Sequence, residues 1–332
     1  MAGVVLVLVA SGYALFEVAD SLAGAADALS DASPGWLAAA AVVEALCYVC
    51  IALLMTRLLG PATTLGRSVM FRVSLVTFGL GSVLPAAPAP GFAMATVELR
   101  RRGVSVSRIS QALMWHSWFN VRAFLTLAVL TGAVALLRGR IPVFAQGAVI
   151  GAVLFTGGAL VVLSIAVTNR QVGERVAALA GRLPWRGSRP DDVAARVAWH
   201  GSAIASLGTS RNRNIMGALA LGSWVADALC LRFALIAVGV HRNMSIILIA
   251  YVISTLVALI PLLPGGLGLV EAAVPSVLHH YGVPLDAALA GTLAWRAVAL
   301  ILPALAGLLA LTWLRMPVSG ARATAPPEPE SG

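Results

Sequence analysis

The sequence predicts an all-α polytopic membrane protein, with about six full spans and two re-entrant hairpins of broken helices, arranged as two inverted repeats. Three observations predict this class. Hydrophobic residues make up 59% of the 332 residues, charged residues only 11%, and the mean hydropathy is +0.91, which is typical of a chain that mostly faces lipid. Arginines are concentrated in particular loops, and two apolar runs contain helix-breaking residues.

The apolar runs set the expected elements, because a helix needs about 20 residues to cross the hydrocarbon core. They cover about 1–19, 36–56, 70–97, 109–137, 143–168, 214–240, 245–281 and 285–314. The first run lacks the basic start of a signal peptide, so we expect it to be a retained first span.

The orientation of the chain follows from its loop charges. The segment 17–31 carries several acidic side chains and no basic one, whereas the segment 170–213 is rich in arginine. The positive-inside rule then predicts that the long loop, the N-terminus and the C-terminus are cytoplasmic and that the acidic loop is external. The exceptions, which this orientation leaves outside, are Arg138, Arg140 and Arg242.

The run 70–97 has arginines on both flanks, so both flanks are expected on the cytoplasmic side. The run is too short for two spans of about 20 residues each, which predicts a re-entrant hairpin of two half-helices. The same reasoning predicts that the run 245–281 enters and leaves from the outside.

An internal repeat is indicated by short matches that recur in the same order at a nearly fixed offset. "EALC" at Glu44 corresponds to "DALC" at Asp227, and P-G-x6-E ending at Glu98 corresponds to P-G-x5-E ending at Glu271. "GVS" and "LMW" likewise have counterparts in "GVP" and "LAW". Inverted repeats with Gly/Pro-interrupted segments are typical of transporters, whose substrate site lies between the halves.

These assignments divide the chain into five regions. The expected regions are a first span with an external acidic loop (1–35), repeat 1 (36–140), a linking span with an Arg-rich loop (141–213), repeat 2 (214–315) and a disordered tail (316–332).

The second half carries the most specific motif. "LPGGLGLVEAAV" and the following "GVPLDAALAGTLAWRAVALILPALAGLLAL" resemble the flippase-like membrane domain of lysylphosphatidylglycerol synthases and its stand-alone relatives. The resemblance implies movement of a phosphate-bearing lipid, either phospholipid or polyprenyl-linked, between leaflets. The first half departs from that family, because "LPAAPAPGFAMATVELRRRG" lacks the polar, glycine-rich motif that often follows the first proline.

Ionisable groups inside spans are costly and therefore candidates for function. Glu44 and Asp227 are expected to flank the cavity, where they balance an arginine or carry a proton; the alternative is a structural ion pair or a neutral carboxyl. Glu271 comes shortly after Gly268, so it caps a half-helix, binds a head-group amine or pairs with Arg296.

Arginine at depth suits a lipid phosphate, which it binds bidentately. The candidates are Arg122, Arg232 and Arg296, with neutralisation by Asp227 and Glu271 as the alternative for the latter two. The glycines of the second motif suit either an anion-binding nest or close helix packing. The complete set of expected substrate-binding residues is Pro264, Gly265, Gly266, Gly268, Glu271, Arg296, Arg122, Arg232, Glu44, Asp227, Pro90, Gly91 and Glu98.

Other functions are less well supported by the residues. We expect no catalytic residue, metal or cofactor, because the only paired acids at a membrane surface, Asp191 and Asp192, lie among arginines. His116, His279 and His280 are expected at the interface. The alternatives to a translocator are an accessory scaffold of cell-envelope synthesis and, third, a lipid-modifying enzyme.

The expected partners follow from the same class. They are membrane lipids, anionic or zwitterionic phospholipid or polyprenyl phosphate, together with envelope-synthesis enzymes, and nucleic acid is not expected because the arginines alternate with apolar spans. The expected location is the bacterial cytoplasmic membrane.

Overall fold

The computed structural model describes residues 22–60, 65–84, 89–141, 143–168, 209–258 and 266–315. Every regular element in these ranges is a helix. The predicted first span 1–19, the tail 316–332 and most of the Arg-rich loop lie outside the described residues.

Within the described ranges, the first half of the chain contains six α-helices. They are α1 (Leu22–Ser30), α2 (Pro34–Leu59), α3 (Arg67–Ser74), α4 (Ala89–Arg100), α5 (Val106–Leu137) and α6 (Val143–Thr168). A π-helical segment, Leu75–Leu80, continues α3. Part of the predicted acidic loop is thus helical, and α1 packs its Ala25 against Leu289 and Ala290.

The described part of the second half contains five α-helices. They are α7 (Ser210–Ala237), α8 (Met244–Ala258), α9 (Leu269–His280), α10 (Leu285–Arg296) and α11 (Leu302–Arg315). A second π-helical segment, Ala297–Ile301, joins α10 to α11.

Four of the described helical stretches are long and apolar enough to cross a membrane, which identifies a multi-pass membrane protein. They are Pro34–Leu59, Val106–Leu137, Ser210–Ala237 and Leu285–Leu314. These stretches confirm four of the predicted spans. The predicted span 143–168 forms the single helix α6, whose described apolar stretch is the shorter Val149–Val161.

The two interrupted runs form pairs of short helices. The run 70–97 holds α3, its π-helical continuation and the 12-residue α4. The run 245–281 holds the 15-residue α8 and the 12-residue α9. At about 1.5 Å per residue, helices of this length extend only ~18 to 23 Å, too short for a ~30 Å hydrocarbon core.

One end of the bundle holds most of the described arginines, and we call it the Arg-rich end. Arg57 at the end of α2 donates to Asn212 Oδ1 at the start of α7 (3.0 Å), and Arg102 donates to the Leu314 carbonyl at the end of α11 (3.3 Å). Leu59, Met70, Leu99 and Leu314 share one hydrophobic cluster. Both ends of the first broken segment therefore lie at the Arg-rich end.

The opposite end of the bundle, which we call the far end, contains other helix termini. The Ser33 N–H donates to the Ala237 carbonyl (2.8 Å), and the Tyr281 hydroxyl donates to the Arg140 carbonyl (3.0 Å). The second broken segment follows Ala237 and leads into Tyr281, so both of its ends lie at the far end.

Several contacts between helices in one half have a counterpart in the other half. Helix α2 packs on α5 as α7 packs on α10, and α5 packs on α8 as α11 packs on α3 and its π-helical continuation. Helices α2 and α7 pack on each other along the boundary between halves. The inverted repeat itself stays a prediction.

Glycine allows the first broken segment to pack closely. A Cβ at Gly91 of α4 would overlap the Thr77 carbonyl oxygen, and a Cβ at Gly81 would lie 2.8 Å from the Gly91 Cα. Glycine on both sides lets the two backbones approach, as small residues do between membrane helices.

Candidate functional site

The start of α9 presents a carboxylate held on both sides. Gly266 and Gly268 have positive φ (66° and 80°), a conformation that glycine adopts without a Cβ penalty. The Gly268 N–H donates to Glu271 Oε2 (2.7 Å), and Arg296 Nε donates to Glu271 Oε1 (2.7 Å). The expected helix cap and the expected pair with Arg296 are therefore both present.

The ion pair is not completely enclosed by protein. The side chains of Arg296 and Glu271 are 13% and 15% exposed. Both side chains of the ion pair therefore keep some accessible surface.

Asp227 on α7 is bound from two neighbouring helices. The Tyr251 hydroxyl of α8 donates to Asp227 Oδ2 (2.8 Å), and the Trp295 indole N–H of α10 donates to Oδ1 (2.9 Å). Arg296 follows Trp295 and acts electrostatically on the same carboxyl. Asp227 is thus a carboxylate whose two oxygens both accept hydrogen bonds.

Glu44 on α2 lies close to Asp227 on α7. Its carboxyl interacts electrostatically with Asp227 and lies within hydrogen-bonding reach of the Cys230 thiol, both on α7. Glu44 is 4% exposed, and its Oε2 has no hydrogen-bond partner among the described residues.

These four groups lie at similar depth. The depth of each group is its distance along its own helix from the helix terminus at the far end. Glu44 follows Pro34, where α2 begins, and Asp227 precedes Ala237, where α7 ends. Arg296 likewise comes after the start of α10 at Leu285, and Glu271 comes before the end of α9 at His280. Each of these distances is about three helical turns or slightly less, which is ~13 to 17 Å and reaches the middle of a ~30 Å core.

The other candidate arginines lie elsewhere. The Arg122 guanidinium lies over the Trp118 ring, 5.4 Å from its centroid, and makes no ion pair within the described part of the chain. Arg232 donates to the Arg242 carbonyl at the far end (3.5 Å), so it does not neutralise Asp227.

The candidates from the first broken segment lie near the Arg-rich end or within its helix packing. Glu98 accepts from Arg102 (2.9 Å) and Arg101 (3.3 Å). Gly91 packs on Thr77, and Pro90 is the second residue of α4. In the second motif, Pro264 and Gly265 lie outside the described residues.

The structure adds partners that the sequence reasoning missed. Tyr251 and Trp295 bind Asp227, and a signal for Tyr251 was available, since it is the one hydroxyl-bearing aromatic in the apolar run of α8. The His116 side chain is buried and stacks on Phe78 at 4.2 Å, and its interfacial position stays a prediction.

Metal-binding groups do not assemble in the described ranges. No three His, Cys, Asp or Glu side chains there lie together as a metal site would require, and the three cysteines are free thiols.

Comparison with known proteins gives one family and two relatives. The family described as the lysylphosphatidylglycerol synthase TM region matches residues 1–307. Two proteins of Methanothermobacter thermautotrophicus, each named "UPF0104 membrane protein", match at 34% identity over 92 residues and at 24% identity over 229 residues. These alignments cover 28% and 65% of this chain, and 26% and 65% of the relatives' own lengths. The chain therefore spans less than two thirds of either relative.

Proposed function

We propose that this chain, which belongs to the family of lysylphosphatidylglycerol synthase transmembrane regions, moves a phosphate-bearing lipid between the two leaflets of a membrane. The observation that carries the proposal is the Glu271–Arg296 ion pair, which lies near mid-depth at the start of the short helix α9. Charges at this depth are costly and usually functional.

The pair has the chemistry of a head-group site. Arginine binds phosphate through two parallel hydrogen bonds, and a carboxylate binds the ammonium of a zwitterionic lipid. A phospholipid that enters can therefore replace the Glu271–Arg296 ion pair with two ion pairs to its own head group. This exchange limits the free-energy cost of separating Glu271 from Arg296. The partial exposure of both side chains supports this exchange.

The arrangement of the halves supports movement rather than binding alone. Each half contains one broken segment whose two ends lie at the same end of the bundle, and these ends are opposite in the two halves. In transporters built from inverted repeats, broken helices line a central site and one half rocks against the other. The acyl chains would remain in the bilayer while the head group crosses.

We place the Arg-rich end at the cytoplasmic face of the bacterial cytoplasmic membrane, following the positive-inside rule. The C-terminal end of α11 is then cytoplasmic, and the loops 238–243 and 281–284 are external. The broken segments are then re-entrant hairpins that enter from opposite faces.

The proposal is tested by reconstituting purified protein into liposomes with fluorescent phospholipid and polyprenyl-phosphate probes. We expect wild-type protein to accelerate leaflet exchange over protein-free liposomes. Glu271→Gln and Arg296→Ala should slow exchange roughly tenfold or more, the factor that corresponds to about 1.4 kcal/mol.

Matched controls are available at the bundle ends. Asp286→Asn removes an exposed carboxylate from the first turn of α10, and Arg57→Ala removes an exposed arginine from the end of α2. Both should exchange lipid as wild type does. Absence of exchange with every probe, in protein shown to be folded, would instead favour an accessory role in cell-envelope synthesis.

A further inference from the structure

Two equally buried glutamates in the described helices have opposite surroundings. Glu98 is 3% exposed and accepts hydrogen bonds from Arg101 and Arg102. Glu44 is 4% exposed, and its Oε2 has no partner in the described ranges. An ionised carboxylate with no donor stronger than a thiol is strongly disfavoured at this burial, whereas two arginine donors stabilise one.

The groups that face Glu44 do not supply a countercharge. From α7 it meets Asp227, an acid, and Cys230, a weak thiol donor; on its own helix its neighbours include Cys47 and Tyr48. Arg296, adjacent to the π-helical segment that packs on α2, is bound to Glu271.

The remaining helices packed on α2 direct their charges elsewhere. On α5, Arg122 contacts Trp118 and His116 stacks on Phe78. On α3, Arg67 begins the helix at the Arg-rich end and Arg72 lies over the Trp313 ring.

Glu44 and Asp227 differ in the hydrogen-bond donors around them. Both oxygens of Asp227 accept bonds, from Tyr251 and Trp295, which stabilises its charged form. Two carboxylates that face each other in such an interface cannot both ionise at low cost. The proton therefore resides on Glu44.

We propose that Glu44 is a proton-binding site whose protonation is coupled to lipid movement; this inference rests on the proposed function. When Glu44 releases its proton to water, two negative carboxylates face each other across the boundary between α2 and α7. These helices belong to different halves, so the repulsion favours separation of the halves, and reprotonation favours the packing observed. Only a proton is transferred, and no bond between heavy atoms changes.

The protonation state is tested by infrared spectroscopy of the full-length protein in liposomes, a measurement that does not depend on transport. We expect an absorption band of a protonated carboxyl group that disappears in Glu44→Gln. Glu98→Gln, the control of matched burial, should leave the band unchanged, because the Glu98 carboxylate accepts hydrogen bonds from Arg101 and Arg102. A band absent from wild type, or unchanged in Glu44→Gln, would overturn the inference.

The coupling is tested by lipid exchange in vesicles with a proton gradient. We expect wild-type protein to accumulate the fluorescent phospholipid in one leaflet, and a protonophore to abolish the accumulation. Glu44→Gln, which mimics the protonated state permanently, should lose gradient-driven accumulation, whereas Asp286→Asn should retain it.

The outcomes separate this inference from the proposed function. Lipid exchange that does not depend on the proton gradient, or that requires sodium ions instead, would overturn proton coupling. It would not contradict the proposed translocator function. Exchange absent from wild type with every probe would overturn both. The infrared band then still reports whether Glu44 carries a proton, as a structural group without a transport role.

Discussion

At the residue scale, hydrogen-bond donors decide which acidic groups are charged inside the bundle. Asp227 receives donors from two different helices, and Glu271 receives a backbone N–H and an arginine. Glu44 has only the Cys230 thiol within hydrogen-bonding reach, and its Oε2 has no partner among the described residues. The sequence could predict that Glu271 caps its helix and pairs with Arg296, because each follows from local spacing or opposite charge. It could not predict the partners of Asp227, because they are fixed by the rotation of α8 and α10.

Tyr251→Phe tests the support of Asp227 at this scale. The substitution keeps the ring and removes only the hydroxyl, so we expect the free energy of unfolding to fall by about 1 to 2 kcal/mol, the upper range for hydrogen bonds between membrane helices. Tyr281→Phe, which removes a hydroxyl bonded to Arg140 at the far end, should cost less, about 0.5 kcal/mol. Reversible unfolding in detergent measures both, and equal losses would contradict the special position of Asp227.

At the element scale, the breaks in the helices were predictable and their internal geometry was not. Prolines and glycines identified both interrupted runs, since these residues disfavour a continuous helix. The π-helical form of Leu75–Leu80 and Ala297–Ile301 could not be predicted in the same way, because it depends on packing. The segment at 75–80 packs against α4 and α11, where a Cβ at Gly79 would lie 2.5 Å from the Pro303 carbonyl oxygen.

Gly91→Ala tests this packing. Because the added methyl group would overlap the Thr77 carbonyl oxygen, α4 must move, and we expect the free energy of unfolding to fall by about 1 to 3 kcal/mol. The control is Gly217→Ala in α7, where an added Cβ meets nothing within 4 Å and helix propensity favours alanine. The midpoint temperature of thermal unfolding in detergent should be lower for Gly91→Ala than for wild type, and equal or higher for Gly217→Ala. The reverse order would contradict the close approach of the backbones at Gly91 and Thr77.

At the scale of the whole molecule, the sequence anticipated the class, four spans and both broken segments. Those successes depend on composition, length and helix breakers, which act locally. The relation between the halves depends on which faces of α2 and α7 meet, and no local pattern encodes this contact. The placement of Glu44 against Asp227 and Cys230 therefore required the structure.

Cysteine labelling tests the orientation of the halves. Exposed positions at the two ends of the first broken segment are Ser68 and Arg101, and those at the ends of the second are His241 and His280. With single cysteines there, we expect a membrane-impermeant maleimide to label His241→Cys and His280→Cys in intact cells. Ser68→Cys and Arg101→Cys should react only after permeabilisation. Labelling of the two ends of one segment from different sides would contradict a re-entrant hairpin.

The most direct test of the central claim is the ratio of lipid-exchange rates between wild-type protein and Glu271→Gln in the same liposomes, with Asp286→Asn as control. A translocator that uses the Glu271–Arg296 pair predicts that wild type and Asp286→Asn exchange the probe at equal rates and that Glu271→Gln exchanges it roughly tenfold more slowly. Equal rates for all three proteins would show that the mid-depth ion pair does not bind the transported head group.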